Sequence, residues 1–240
     1  LLIPAATLLI IIGLSIYFRK IIHLTITRII YGKYSFHFVS VYKNYFIRNP
    51  FQYCFREDLT QKIQILTDDL NNYECLKTET SIEFDEGSFG DSFKQLKKRK
   101  GDPYCYNVLD IKAKDLRFEV AGYQCSNQGK NCLILFYFAN DELFMGEYVH
   151  KNVVDPPKNK ILHNYKVKAE AEVPDNFIIQ NSGSKMISYS DNGFTIDVKY
   201  IDMGNNSLFE KLKAYHEGLE NKISVKKQGL KPMIASVSQS

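Results

Sequence analysis

Residues 133–138 read LILFYF, six consecutive apolar residues rich in aromatic and branched side chains. A short apolar run between turn-forming residues is typical of a strand that is buried on both faces of a sheet. The turn-forming residues are the polar run 126–131 before it and Asn140–Asp141 after it. We therefore predict that this segment is a central strand of an antiparallel sheet.

Cys125 and Cys132 stand on either side of Ser-Asn-Gln-Gly-Lys-Asn, the polar run before the central strand. If the flanking strands form a hairpin, the two cysteines lie opposite each other, close enough for a disulfide. A Cys125–Cys132 disulfide would indicate an oxidising compartment. The alternative is two small buried thiols in a sheet. Because the chain has five cysteines, at least one thiol stays unbridged in either case.

More strands and two helices are predicted around this hairpin. Segments rich in β-branched and aromatic residues predict strands at 105–111, 115–123, 132–138 and 142–150. A first helix is predicted at 58–78, because apolar side chains recur there at helical spacing: Ile63, Leu66, Leu70 and Tyr73. A second, short helix is predicted from Ser92, its N-cap, to about Lys100, and Gly101-Asp-Pro103 ends it.

The run Asp155-Pro-Pro-Lys-Asn159 is a stiff polar link that divides the soluble part in two. Strand-like segments follow it at 161–173, 176–180, 185–190 and 193–201. Apolar and polar side chains alternate from Phe194 to Tyr200, which predicts a strand with one buried and one exposed face. A closing helix is predicted at 207–221, with Ser207 and Glu210 as a capping box.

Residues 1–18 read LLIPAATLLIIIGLSIYF and carry no charge. A helix of this length rises about 27 Å, close to the roughly 30 Å thickness of a bilayer's hydrocarbon core. Tyr17, Phe18, Arg19 and Lys20 then form the aromatic and basic stop that is typical of a membrane boundary. We predict a single-pass transmembrane helix that continues into the interface as far as residue 31. A cleaved signal peptide and a buried core helix are the alternatives.

The juxtamembrane segment 32–57 is aromatic and basic. Ten aromatic residues lie between Tyr31 and Phe55, and residues 1–56 contain seven basic residues and no acid. Such a block faces anionic lipid or nucleic acid, and the adjacent apolar helix makes lipid the simpler partner, so no nucleic acid is expected. Two interpretations stay open: a surface that lies on the membrane or binds a partner, or a connection whose aromatics pack under the soluble domain. The predicted membrane-interface residues are Tyr17, Phe18, Arg19, Lys20, Arg28, Lys33, Lys43 and Arg48.

These predictions describe an α+β chain. A transmembrane helix precedes two helices packed on an antiparallel sheet, and a second strand-rich segment is closed by a helix. The predicted units are 1–31, 32–57, 58–154 and 160–222, with a flexible tail at 223–240. The basic flank places the domain in the cytoplasm by the positive-inside rule, whereas a disulfide places it in the periplasm. We predict a bacterial inner-membrane protein with a periplasmic domain.

The stretch 90–103 has the pattern G-x-S/T-x3-L/V-x4-G-x-P, through Gly90, Ser92, Leu96, Gly101 and Pro103. It resembles the helix-two signature of the small outer-membrane lipoproteins of the SmpA/OmlA type, and the order of helix, short helix and strands over 58–150 is similar. The resemblance implies a non-enzymatic envelope assembly or binding module with no catalytic residues. Two features depart from the family. Lys100 replaces a usually apolar residue, and the first cysteine is Cys54, not an acylated cysteine near the N-terminus.

The sequence contains no nucleophile elbow, P-loop, HExxH motif or dinucleotide-binding fingerprint, and no catalytic, cofactor or metal residues are assigned. We therefore predict a membrane-anchored, non-catalytic interaction or assembly module, a subunit of a cell-envelope complex. Its expected partners are membrane lipid and another envelope protein. A lipid- or small-ligand-binding domain is the first alternative. A membrane-tethered hydrolase or thiol enzyme is the second, and an enzyme is the less favoured class.

Overall fold

The computed structural model describes residues 2–51, 54, 73–84, 86–111, 115–127, 130–151, 157–167, 173–204, 207–212, 214 and 218. The helices are α1 (Leu2–Tyr31), α2 (Phe36–Phe46), α3 (Phe93–Lys100) and α4 (Lys158–Asn164). The strands are β1 (Glu74–Lys77), β2 (Cys105–Ile111), β3 (Leu116–Asn127), β4 (Lys130–Ala139), β5 (Glu142–Lys151), β6 (Asn176–Gln180), β7 (Lys185–Asp191) and β8 (Thr195–Asp202). Residues 207–212 are also helical.

The strands form one eight-stranded sheet in the order β1-β6-β7-β8-β5-β4-β3-β2. Every neighbouring pair is antiparallel except β1 and β6, which are parallel. β5 pairs with β8 from Met145 opposite Ile201 to Lys151 opposite Thr195. The segments 58–154 and 160–222, which the sequence separates at the Pro-Pro link, therefore contribute strands to the same sheet. The chain is a mixed α+β protein with an N-terminal apolar helix.

The strands predicted before the link are confirmed. LILFYF lies in β4, between β3 and β5, as the central strand that its composition predicts. Asn140 and Asp141 connect β4 to β5 with φ of 50° and 70°, the left-handed pair that a two-residue type I′ hairpin requires. α3 begins after Ser92, which forms a capping box with Gln95.

Two predicted elements are wrong where the structure describes them. Residues 74–77 form β1, so the predicted helix 58–78 does not extend through them, and 58–72 lie outside the described residues. β1 pairs in parallel with β6, about a hundred residues later, and local helical spacing carries no information about that pairing. Residues 161–164 belong to α4 rather than to a strand. The closing helix is confirmed over 207–212, and the tail 223–240 lies outside the described residues.

Both faces of the sheet are covered, which changes the interpretation of β8. Alternate residues of β4 enter two separate clusters, Phe136 and Phe138 in one and Leu135 and Tyr137 in the other. The predicted exposed face of β8 is therefore wrong at Lys199, which is 2% exposed. Phe194, predicted to be buried, precedes the strand and is 83% exposed. Alternation marks a half-buried strand only when one face of the sheet is open.

Candidate functional site

α1 contains a segment, Thr7–Tyr31, that is long and apolar enough to cross a membrane. Its large apolar side chains project away from the rest of the protein, with exposed fractions near one half or more at Leu8, Leu9, Ile10, Ile11, Leu14 and Ile16. Apolar surface of this kind is favoured in hydrocarbon by roughly 25 cal/mol for each Å² removed from water. Among the α1 side chains from Thr7 to Tyr31, whose burial the structure describes, the buried ones lie in the last third of the helix, at Leu24 and Thr27.

α2 folds back along this last third of α1. Gly32, with a φ of 89°, ends α1, and its N–H donates to the Arg28 carbonyl over 2.9 Å. Ser35 then caps α2 by accepting a hydrogen bond from the Phe38 N–H at 3.2 Å. Further along, His23 Nδ1 lies 2.6 Å from the Tyr45 hydroxyl. The two helices therefore form an antiparallel hairpin.

The hairpin is attached to the edge strand β2 by side-chain hydrogen bonds. Lys43 Nζ donates to the Val108 carbonyl at 2.8 Å and to Asn107 Oδ1 at 3.2 Å. Asn49 Nδ2 donates to the Tyr106 carbonyl at 2.8 Å. These carbonyls lie on the side of β2 that has no neighbouring strand, where unpaired groups otherwise invite another chain to pair.

A covalent bond reinforces this attachment. Cys54 and Cys105 form a disulfide with a Cα–Cα distance of 5.2 Å. Gly122 lies opposite Cys105 in the β2–β3 ladder, and a Cβ there would come within 2.3 Å of Cys105 Sγ. Glycine at this position therefore leaves space for the disulfide. The sequence did not reveal this pair, because its 51-residue separation leaves no local pattern.

The aromatic residues of the juxtamembrane segment mostly face the domain. Phe36 and Phe38 are buried, and Tyr34, Tyr42, Tyr45, Phe46 and Phe51 are half-buried. The Tyr34 ring stacks on Phe51 at 4.6 Å, and both rings contact the Tyr106 ring of β2 edge-on, at 6.1 and 6.0 Å. These contacts support the interpretation in which the aromatics pack under the soluble domain. Tyr53 and Phe55 lie outside the described residues.

The predicted membrane-interface residues occupy three settings. Most are exposed along the hairpin, where lipid contact stays a prediction: Tyr17, Phe18, Arg19, Arg28, Lys33 and Arg48. Lys20 is half-buried, with its Nζ 5.6 Å above the Tyr45 ring. Lys43 is turned toward the protein, because it bonds the edge of β2.

The predicted pair Cys125 and Cys132 lie directly opposite each other in the β3–β4 ladder. The strand pairing on which the prediction depended is therefore present, and residues 128–129 between the strands lie outside the described part. The disulfide itself stays a prediction. Cys132 is buried at the start of the central strand.

Two carboxylates are buried beside tyrosines, one in each face of the sheet. The Tyr106 hydroxyl donates to Glu119, and the Tyr137 hydroxyl donates to Glu147. Burial raises the pKa of the Glu119 carboxyl, although the Tyr106 hydrogen bond opposes that shift. Burial, with the adjacent Glu119 charge, raises the pKa of the Tyr106 phenol well above its ordinary value. Glu147 lies opposite the buried Lys199 in the ladder.

Two clefts of about 210 and 180 Å³ lie near the β4–β5 turn, and Glu142 and Leu208 line both. Neither is lined by a histidine, a cysteine or the buried carboxylates Glu119 and Glu147. Drug-sized ligands occupy pockets of about 300–1,000 Å³, so both clefts are small for such a molecule. Within the described residues, no group of three or more His, Cys, Asp or Glu side chains is placed to hold a metal ion.

The site with the most structural definition is therefore the helical hairpin, α1 and α2 with their attachment to β2. Its parts are an apolar helix, a set of basic side chains and a covalent link to the sheet. The chain matches no protein-family model, no curated protein sequence and no solved structure.

Proposed function

We propose that this chain is a membrane-anchored, non-catalytic interaction or assembly module of the cell envelope, with α1 as its single transmembrane helix. One observation carries the proposal: α1 is not joined to the domain by a loose linker. Its last third packs on α2, α2 bonds to β2, and the Cys54–Cys105 disulfide closes the attachment. A tethered enzyme for soluble substrates needs only a flexible linker, whereas a module that presents one surface to a neighbour needs a fixed orientation.

We place the soluble domain in the periplasm of a bacterium, with α1 in the inner membrane. The Cys54–Cys105 disulfide supports this side, because disulfides persist in oxidising compartments. The basic residues that follow the apolar helix favour the cytoplasmic side by the positive-inside rule. We give the disulfide more weight, because it reports the redox conditions around the folded domain itself. The positive-inside rule describes a preference that acts when the helix inserts into the membrane.

The proposed partners are membrane lipid and another envelope protein. The likeness of 90–103 to the SmpA/OmlA signature belongs to this proposal. The signature positions form the helix α3, which is capped by Ser92, buries Leu96 and ends at Gly101.

Thiol labelling of the full chain tests the membrane side. Cys75 on β1 is exposed, so a membrane-impermeant maleimide applied to intact spheroplasts of a Gram-negative host should label it without lysis. Cys54 and Cys105 should label only after reduction and unfolding. The Cys75→Ser variant is the matched control and should lose the first signal. Labelling of Cys75 only after lysis would place the domain in the cytoplasm.

Photo-crosslinking tests the interaction half of the proposal. Tyr104 and Phe194 are exposed aromatic residues of the soluble domain, at 45% and 83%, and each accepts a photoreactive phenylalanine with little change in shape. In membranes we expect a discrete adduct from at least one position, weaker in the Cys54→Ala/Cys105→Ala variant, whose hairpin is no longer covalently attached. Adducts of equal strength in both variants would show that a fixed orientation is unnecessary.

A further inference from the structure

The hairpin returns the chain to the level at which α1 leaves the membrane. At the end of the hairpin where α1 connects to α2, the Tyr31 and His37 rings are 4.4 Å apart. At the opposite end, Tyr45 contacts both His23 and Lys20. Lys20 is part of the aromatic and basic stop that follows the apolar run, so the end of α2 lies beside that boundary.

Ile47, the residue after α2, is unusual in two ways. It is 94% exposed, the highest fraction among the exposed large apolar side chains of the described residues. It also has φ of 56° and ψ of 23°, a left-handed conformation that a β-branched residue rarely adopts. Its N–H donates to the Lys43 carbonyl at 2.8 Å and so closes the last turn of α2. Arg48, which follows, is also exposed.

We propose that Ile47 and Arg48 form a second membrane contact, in which Ile47 enters the headgroup layer of an anionic leaflet and Arg48 binds a lipid phosphate. This inference rests on the proposed function, because it takes α1 as the transmembrane anchor. The two contacts, α1 and the end of α2, would together restrict rotation of the soluble domain about α1. They would thus fix which end of the sheet faces the membrane.

Charge identifies lipid as the occupant of this surface. The chain has no acidic residue before Glu57, so Ile47 is surrounded in sequence only by neutral and basic side chains. Arg19 and Lys20 lie at the same level of the hairpin and extend the basic surface. Juxtamembrane basic side chains are attracted to anionic lipid. An apolar side chain within a basic rim is the composition of an interfacial membrane contact.

A single tryptophan measures the depth of this contact, because the natural chain has none. The full-length Ile47→Trp variant is placed in vesicles of phosphatidylglycerol and brominated phosphatidylcholine. In one preparation the bromine lies near the headgroup, and in the other it lies deep in the acyl chain. Fluorescence is excited at the red edge, where the 16 tyrosines do not contribute. We expect a blue-shifted emission that is lost mainly with the shallow bromine. Arg48→Trp is a second probe of the same contact if Ile47→Trp does not fold.

Two further variants carry the same Ile→Trp change at other levels of the hairpin. Ile12→Trp, in the middle of the apolar run, should be quenched mainly by the deep bromine. Ile29 is 77% exposed and lies near the end of α1 that is farthest from the apolar run, so Ile29→Trp should be quenched less than Ile47→Trp. Equal quenching at positions 29 and 47 would overturn the inference, because the membrane would then cover the whole hairpin.

The two proposals fail in different ways. If Ile12→Trp is quenched while both Ile47→Trp and Arg48→Trp emit as in water, the second contact is absent and the anchored module stands. If Ile12→Trp is not quenched, α1 is not in the bilayer and the proposed function fails with the inference. Quenching of Ile47→Trp that is the same without phosphatidylglycerol would contradict the assignment of an anionic leaflet.

Discussion

The two edges of the sheet are closed by different means. At the β2 edge, the helical hairpin supplies Lys43 and Asn49 to the outward carbonyls, and the Cys54–Cys105 disulfide holds it there. At the other edge, β1 is only four residues long, parallel to its neighbour β6, and exposes Glu74, Cys75 and Lys77. Short, charged edge strands resist edge-to-edge association without any cover.

This difference supports the proposed function, in which the β2 edge also fixes the orientation of the helical hairpin. Preventing aggregation requires no more than the device at β1, a short strand with charges. The β2 edge uses buried hydrogen bonds and a covalent bond, and these connect the sheet to the helix that is long and apolar enough to cross a membrane. We therefore expect substitutions at β2 to alter stability and orientation, and equivalent substitutions at β1 to alter little.

The largest expected effect is the loss of the disulfide. Closing a loop of 51 residues reduces the entropy of the unfolded chain by an amount worth about 4 kcal/mol at room temperature. The Cys54→Ala/Cys105→Ala variant should therefore lose about 2–4 kcal/mol of unfolding free energy, measured by denaturant titration of the full chain in detergent. Cys75→Ala at the β1 edge is the matched control. A loss below about 1 kcal/mol would mean that the hydrogen bonds alone fix the hairpin.

A smaller effect is expected from the lysines of the two edges. Lys43→Met removes two hydrogen bonds to Asn107 and Val108 and should cost about 2 kcal/mol, since hydrogen bonds to charged groups contribute more than neutral ones. Lys77→Met at β1 removes an exposed hydrogen bond to Gln180 Oε1 and should change stability by less than about 0.5 kcal/mol. Chemical unfolding in detergent compares the variants. If Lys43 instead serves the lipid, its loss will matter only in anionic vesicles.

The same contrast separates what the sequence predicts from what it misses. β3 and β4 pair with their chain neighbours through short turns, so composition and turn residues predict them. β1 pairs with a strand about a hundred residues later, and its four residues continue an apparent helical pattern. Lys199 fits an alternating pattern that predicts an open face, but it is buried because the residues covering that face come from elsewhere in the chain.

The candidate site divides in the same way. The apolar helix and its basic flank are continuous in sequence, so local composition predicts α1, and lipid contact by the exposed side chains that follow the apolar run stays a prediction. The Cys54–Cys105 bond, the inward direction of Lys43 and the exposure of Ile47 depend on how α2 folds back, which no local pattern encodes. The Cys125–Cys132 prediction used a hairpin turn, and the register that it requires is present.

The smallest expected effect concerns Glu119, the buried carboxylate of β3 that lies opposite Val108 of β2. Burial raises the pKa of Glu119 in the folded protein, so the folded state keeps a proton that the unfolded state has released. This contribution to stability is complete below the unfolded pKa, near 4.5, and is lost as the pH rises through the folded pKa. Glu119→Gln keeps an acceptor for the Tyr106 hydroxyl and cannot ionise.

We therefore expect Glu119→Gln to equal the natural chain at acid pH and to unfold at a higher denaturant concentration at neutral pH. Its unfolding midpoint should depend less on pH between about 4.5 and 7. Glu74→Gln on the exposed β1 edge is the matched control for the change from carboxylate to amide. If Glu119→Gln is instead less stable at neutral pH, the ionised carboxylate with its Tyr106 hydrogen bond is the stabilising form, and burial is not the dominant influence at the covered edge.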